Sequence, residues 1–139
     1  MSSGQLVALI DDDDAAREAA SSLVRALGYS VVAYPSAAAF LATAEMSQIA
    51  CLITDMRMAG MSGLALHRHL TTSGIYLPTI LTTAYPEDAT RNRAERAGLV
   101  CYLSKPLAPG ALRACIQGAL DRAEASTPMT WPRIEEDGP

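Results

Sequence analysis

Short apolar runs alternate along this chain with longer stretches whose apolar residues recur every three or four positions. The runs at 5–10, 30–34, 50–54, 78–83 and 100–104 have the length and continuous apolar character of buried strands. Between them lie helical patterns. Residues 14–27 place Ala16, Ala19, Leu23 and Leu27 on one face and stop at Gly28. Ser36 is a good N-cap for a helix burying Ala39, Phe40 and Thr43. Residues 63–70 follow a loop carrying Gly60 and are closed by Ser73-Gly74, and residues 87–97 run from Pro86 to a stop at Gly98. Pro109 opens a last helix in which Leu112, Ile116 and Leu120 recur every four residues.

Five such alternations predict an α/β fold, a doubly wound parallel sheet with helices on both faces. Right-handed crossovers bring every strand's carboxyl end to one rim, which is where such sheets hold their sites. Asp11, Asp12, Asp55, Thr83 and Lys105 each stand at or just after a predicted strand end. The pattern therefore predicts that they converge.

Composition narrows the function classes. At 139 residues, half of them apolar and 19% charged, the chain suits one globular domain with a full core. A net charge of -4 argues against a free-standing nucleic-acid binder. No apolar stretch approaches 18 residues, so no membrane span is expected. The first apolar run meets four aspartates, unlike a signal peptide. Cys51, Cys101 and Cys115 lack C-x-x-C spacing and read as reduced thiols packed as small hydrophobes, implying a reducing cytoplasm. Residues 1–125 are expected to form the domain. Residues 126–139, with three prolines, Trp131 and Glu135-Glu136-Asp137, are expected to form a flexible tail.

Capping explains part of the acidic run. Asp13 or Asp14 at a helix start favours the dipole by about 0.3–1 kcal/mol. Asp11 and Asp12 facing Asp55 need a different account, because two carboxylates about 4 Å apart repel by about 4 kcal/mol at an effective dielectric near 20. Such a cluster must hold a proton, a basic side chain or a divalent cation. Lys105 can supply one charge, and a few oxygen ligands open to water suit Mg2+. Each remaining residue has a plainer role available. Thr83 and Tyr102 fit as strand residues and Lys105-Pro106 as a strand exit. His67 and His69, two apart on a helix, do not face each other. Arg91, Arg93 and Arg96 read as a solvated helix face.

Taken together, Asp11-Asp12, Asp55, Thr83 and Lys105-Pro106 at successive strand ends resemble a bacterial two-component response-regulator receiver domain over about residues 5–124. Thr54-Asp55-Met56-Arg57-Met58, Met61-Ser62-Gly63 and Leu103-Ser104-Lys105-Pro106 resemble the FixJ-type branch. The resemblance implies a flavodoxin-like sheet in order 2-1-3-4-5. It implies that Asp55 accepts a phosphoryl group from the phosphohistidine of a sensor kinase or phosphotransfer protein. Asp12, Asp55 and the backbone carbonyl of Arg57 would bind Mg2+, with Asp11 acting through water. Lys105 would pair with Asp55 across a cis bond to Pro106, and Thr83 and Tyr102 would form the switch. The chain would be an acceptor with possible autodephosphorylation rather than a turnover enzyme. Phosphorylation would favour partner binding or a homodimer, with no direct nucleic-acid or membrane contact.

Two departures from the family pattern stand out. Ala59 replaces the usual Pro, implying a looser loop. Arg57 and Tyr85, with Ala84 beside them, are placed to govern water access and imply slow phosphoryl loss. FixJ-type regulators usually continue into a helix-turn-helix domain, so this chain reads as a stand-alone receiver or a fragment, the acids and prolines of the tail favouring the former. A haloacid-dehalogenase-like phosphohydrolase also uses a strand-end Asp, but places a second Asp where this chain has Arg57. A receiver that switches partners without phosphorylation would not need Asp12, Asp55, Thr83 and Lys105 together.

Overall fold

The computed structural model describes residues 5–125. Five parallel strands, β1 (Leu6–Ile10), β2 (Ser30–Tyr34), β3 (Ile49–Asp55), β4 (Thr79–Thr83) and β5 (Cys101–Ser104), lie in the order β2-β1-β3-β4-β5. They alternate with α1 (Asp14–Ala26), α2 (Ala37–Thr43), α3 (Gly63–Thr72), α4 (Asp88–Ala97) and α5 (Pro109–Ala125). The expected doubly wound sheet is present in the expected order. The expected tail, with Trp131, lies outside the described residues.

Burial explains the order. Strands β3 and β4 are buried almost throughout, so their continuous Leu, Ile and Thr runs can sit only at the centre. Strand β2, at an edge, is mostly exposed or half-buried. One core lies under α1 and α5, where Val7, Leu9, Cys51, Ile53 and Ile80 meet Val24, Leu112 and Ile116. A second lies under α2 and α3, where Ala8, Ile10 and Leu52 meet Phe40, Leu66 and Leu70. A third, smaller cluster joins Leu64, Leu81, Ala94, Leu99 and Tyr102.

Local signals set the helix ends. Asp13 caps α1 by accepting from the Ala16 amide at 2.8 Å, and Ser36 caps α2 through the Ala39 amide at 3.0 Å. Gly98 ends α4 in the left-handed conformation with φ 88°. Three details differ from the pattern reading. Ala19 is exposed, because the buried stripe of α1 runs through Ser21 and Val24. Thr43 is exposed and bonds its hydroxyl to the Ala39 carbonyl at 2.7 Å, so α2 buries Ala37 and Phe40 instead. A single 3-10 turn, Met46–Gln48, precedes β3.

The expectation of three separate thiols fails. Cys101 and Cys115 form a disulfide, with Cα atoms 6.1 Å apart. Alternation along β5 turns Cys101 toward α5, and Cys115 falls on the buried stripe of that helix, so the sulfurs meet. Cys51 is the free, buried one, and burial pushes its thiol pKa up to about 12.

His67 is packed between α3 and α4, its Nδ1 3.2 Å from Thr79 Oγ1 and its Nε2 3.1 Å from the Ala97 carbonyl. Burial lowers its pKa, against a smaller upward pull from that carbonyl. A depressed imidazole adds stability above its ordinary value near 6.5, lost as pH falls through the folded value. Thermal melts from pH 7 to pH 5 should therefore show wild-type losing stability faster than His67→Gln. Parallel profiles would contradict this.

Candidate functional site

The strand ends gather the predicted residues on one rim. Asp11 follows β1, its amide donating to the Tyr34 carbonyl at 3.2 Å. Asp55 closes β3 opposite Thr82 of β4. Thr83 closes β4, and its carbonyl accepts from the Lys105 amide at 2.7 Å just past β5. That backbone bond brings Lys105 beside the acids. Its Nζ lies 2.8 Å from Asp11 Oδ2 and 3.1 Å from Asp55 Oδ1. The Lys105–Pro106 bond is cis.

Asp11, Asp12 and Asp55 each offer a carboxylate oxygen, all within 4.8 Å of one another. Asp11 and Asp55 are buried while Asp12 is exposed, so the cluster opens to solvent on one side. Hard oxygen donors in that number, partly open to water, fit Mg2+. Burial raises the Asp55 pKa, with Asp11 and Asp12 adding to the rise and Lys105 opposing it. For Lys105, burial pulls the pKa down, but bonds and charge from Asp11 and Asp55 outweigh it and the net shift is upward. The ammonium therefore stays charged between two carboxylates.

The loop after β3 holds the exposed acid. The Ala59 amide donates to Asp12 Oδ2 at 3.1 Å. The looser loop expected from the missing Pro thus has a tie that Pro, lacking an N–H, cannot make. In the segments that follow β3 and β4, the Arg57 guanidinium lies 5.2 Å from the centre of the Tyr85 ring, and both side chains are exposed. The second-acid position of a dehalogenase-like site is thus occupied by a cation stacked on an aromatic. Ala84 is exposed beside them. The Tyr85 amide donates to Thr83 Oγ1 at 3.0 Å, so this buried hydroxyl is engaged by the loop. Tyr102 is 7% exposed. Its hydroxyl accepts from the Glu87 amide at 3.2 Å, with the Arg91 guanidinium 5.0 Å from its ring centre. Tyr102 thereby joins β5 to the start of α4.

Four contributors were missed in the residue pattern. They are the Ala59 amide, the Arg57–Tyr85 stack, the placement of Arg91 over Tyr102, and Gly63. A Cβ on Gly63 would sit 2.5 Å from the Asp55 carbonyl oxygen and 2.7 Å from Leu81 Cδ2. A glycine at the first position of a helix capped by Ser62 was the available signal. Gly63→Ala should destabilise the fold by about 1–3 kcal/mol through overpacking. It should also weaken Mg2+ binding by displacing Asp55, readable by thermal melts with and without the ion. An unchanged melt would contradict this.

The response regulator receiver domain model matches residues 7–117. The chain belongs to that family. It is 37% identical over 131 residues to the response regulator protein TodT of Pseudomonas putida, covering 94% of this chain and 57% of TodT. It is 35% identical over 117 residues to the transcriptional regulatory protein FixJ of Azorhizobium caulinodans, covering 84% of this chain and 56% of FixJ. The crystal structure of FixJ-N superposes with a TM-score of 0.76 at 29% identity, over 84% of this chain and 94% of that one. The response regulator StyR superposes with a TM-score of 0.80 at 31% identity, over 96% of this chain and 65% of that one. The expected receiver domain and its FixJ-type resemblance are thus borne out. The chain spans a little over half the length of the curated relatives it matches. Among the described residues, no helix is long and apolar enough to cross a membrane.

Proposed function

We propose that this receiver takes a phosphoryl group on Asp55 from the phosphohistidine of a sensor kinase or phosphotransfer protein. The observation that carries the reading is Lys105 Nζ lying within 3.1 Å of Asp55 and 2.8 Å of Asp11, with Asp12 completing the acidic group. A carboxylate nucleophile needs no general base, and phosphoryl transfer depends mainly on positioning and charge neutralisation. An Asp55 oxygen attacks phosphorus as the phosphorus–nitrogen bond breaks, and the imidazole leaves with the bonding pair. Lys105 then follows the growing charge on the phosphoryl oxygens. Asp12, Asp55 and the Arg57 carbonyl would hold Mg2+ directly, and Asp11 through water. When bound there, Mg2+ supplies further neutralisation of the transferring group.

Thr83 would give up its bond from the Tyr85 amide and turn its hydroxyl toward the phosphoryl oxygens. Tyr102, buried behind it, would pass the change to α4 and the β5–α5 face, where a partner or second copy binds. One charged hydrogen bond contributes about 1.5–3 kcal/mol, whereas taking a switch from 1:99 to 99:1 needs about 5.5 kcal/mol. Lys105 and a partner must supply the remainder. The Arg57–Tyr85 stack over Ala84 would limit water and slow loss of the phosphoryl group. The module acts as an acceptor rather than a turnover enzyme, as a unit over residues 1–125. Its place is the cytoplasm, where a kinase can reach it.

Beryllofluoride with Mg2+ tests the switch. Amide exchange should change at Thr83–Tyr85 and around Tyr102, only when both are present. Absence of any Mg2+-dependent change would favour a phosphorylation-independent module.

A further inference from the structure

We infer that Cys101 and Cys115 form a reversible thiol–disulfide site, through which small thiols and disulfides control how far the β5–α5 face responds to phosphorylation. The coupling to phosphorylation rests on the phosphoacceptor reading above; the site itself does not. Cys101 lies on β5 and Cys115 two turns into α5, 14 residues apart in sequence, with Cα atoms at 6.1 Å. That separation lies within the range a disulfide spans without backbone movement. The third thiol cannot compete. Cys51 lies fully buried on β3, with burial holding it as the neutral thiol.

The position of the bridge gives it leverage. Successive strand residues face opposite sides of a sheet. Cys101 and Leu103 pack with α5, whereas Tyr102 between them packs with Leu81, Ala94 and Leu99. The bridge therefore pins the strand segment on which Tyr102 sits, from the side opposite its ring. It also ties that segment to α5, whose Leu112 and Ile116 are fully buried around Cys115. A shift of Tyr102 that requires β5 to move relative to α5 is opposed by the covalent link.

The chemistry balances with thiols of the glutathione class as co-reactants. Cys101 is half-buried and Cys115 buried, so an incoming thiolate reaches the Cys101 sulfur. Its attack breaks the protein S–S bond and Cys115 leaves as thiolate. A second small thiolate attacks the mixed disulfide and releases Cys101. Two electrons pass to the protein, the two small thiols depart as their disulfide, and both cysteines end as thiols. Oxidation is the reverse, with a small disulfide as electron acceptor. In a reducing compartment such bonds are transient and redox-sensing, so the bridge would follow the local thiol poise.

The full 139-residue chain serves for the test. Maleimide counting after denaturation should find three thiols in dithiothreitol and one after oxidised glutathione, reversibly. Closing a loop of this length should raise the melting temperature by about 5–10 °C. With beryllofluoride and Mg2+, the exchange change at residues 101–116 should be about fivefold or more smaller in the oxidised protein. Cys115→Ser and Cys101→Ser should both lose redox dependence and respond as the reduced protein does. Three thiols under oxidant overturn the site. Equal responses in both redox states overturn the coupling. No response in either state overturns the phosphoacceptor reading and the coupling with it, while the thiol count still decides on the bridge.

Discussion

Lys105→Ala is expected to destabilise the Mg2+-free protein by about 2–3 kcal/mol, the cost of leaving two buried carboxylates unpaired. The ammonium bonds Asp11 at 2.8 Å and Asp55 at 3.1 Å, so its loss exposes both carboxylates to each other and to Asp12. The effect on the metal is the opposite. Lysine and cation compete for the same carboxylates, so Mg2+ should bind several-fold tighter to Lys105→Ala and restore much of its lost stability. Thermal melts across a Mg2+ titration report both effects. Downstream, the variant should still be phosphorylated but hold the switched state about 10- to 100-fold less well, the equivalent of one charged hydrogen bond. Weaker Mg2+ binding in the variant would show that Lys105 organises the acids rather than competing for them.

Asp55→Asn should do the reverse to stability. Burial first, then Asp11 and Asp12, raise the Asp55 pKa against the pull of Lys105. A carboxyl raised above its unfolded value near 3.9 stabilises the fold at pH below that value, and the contribution is lost as pH rises through the folded one. At pH 7 the ionised group therefore costs the fold free energy, and a neutral amide removes the cost. The variant should melt above wild-type at pH 7 without Mg2+, with the gap closing toward pH 4. Mg2+ should stabilise wild-type and leave the variant nearly unmoved. A variant that melts lower at neutral pH, or gains as much from Mg2+, would contradict this placement of the charge.

The rim was legible because it depends on local patterns. An apolar run followed by Asp marks a strand end, and parallel topology places all such ends together, so Asp11, Asp12, Asp55, Thr83 and Lys105 could be grouped before any geometry was known. Asp13 as the α1 cap was readable for the same reason. What escaped depends on pairs distant in sequence. The Ala59 amide reaches Asp12 across 47 positions, and Glu87 reaches Tyr102 across 15. Gly63 is required by a carbonyl of β3 and a leucine of β4, contacts that its place at the helix start hints at but does not specify.

The cysteine pair could have been found. Alternation places Cys101 and Leu103 on one face of β5, and Cys115 lies three residues after Leu112 on the apolar stripe of α5. The lack of C-x-x-C spacing says nothing about a strand-to-helix pair, for which sheet-to-helix packing is the stronger constraint. The absence of Pro at position 59 is visible in the sequence, but the bond that its amide donates to Asp12 is not, because the partner lies 47 positions away.

The central claim, that Asp55 carries the phosphoryl group, is tested most directly by intact-mass measurement after acetyl phosphate treatment with and without Mg2+. Wild-type should gain the mass of one phosphoryl group only with Mg2+, and Asp55→Asn should gain none. A Mg2+-dependent gain that persists in Asp55→Asn, or no gain in wild-type under either condition, would contradict it.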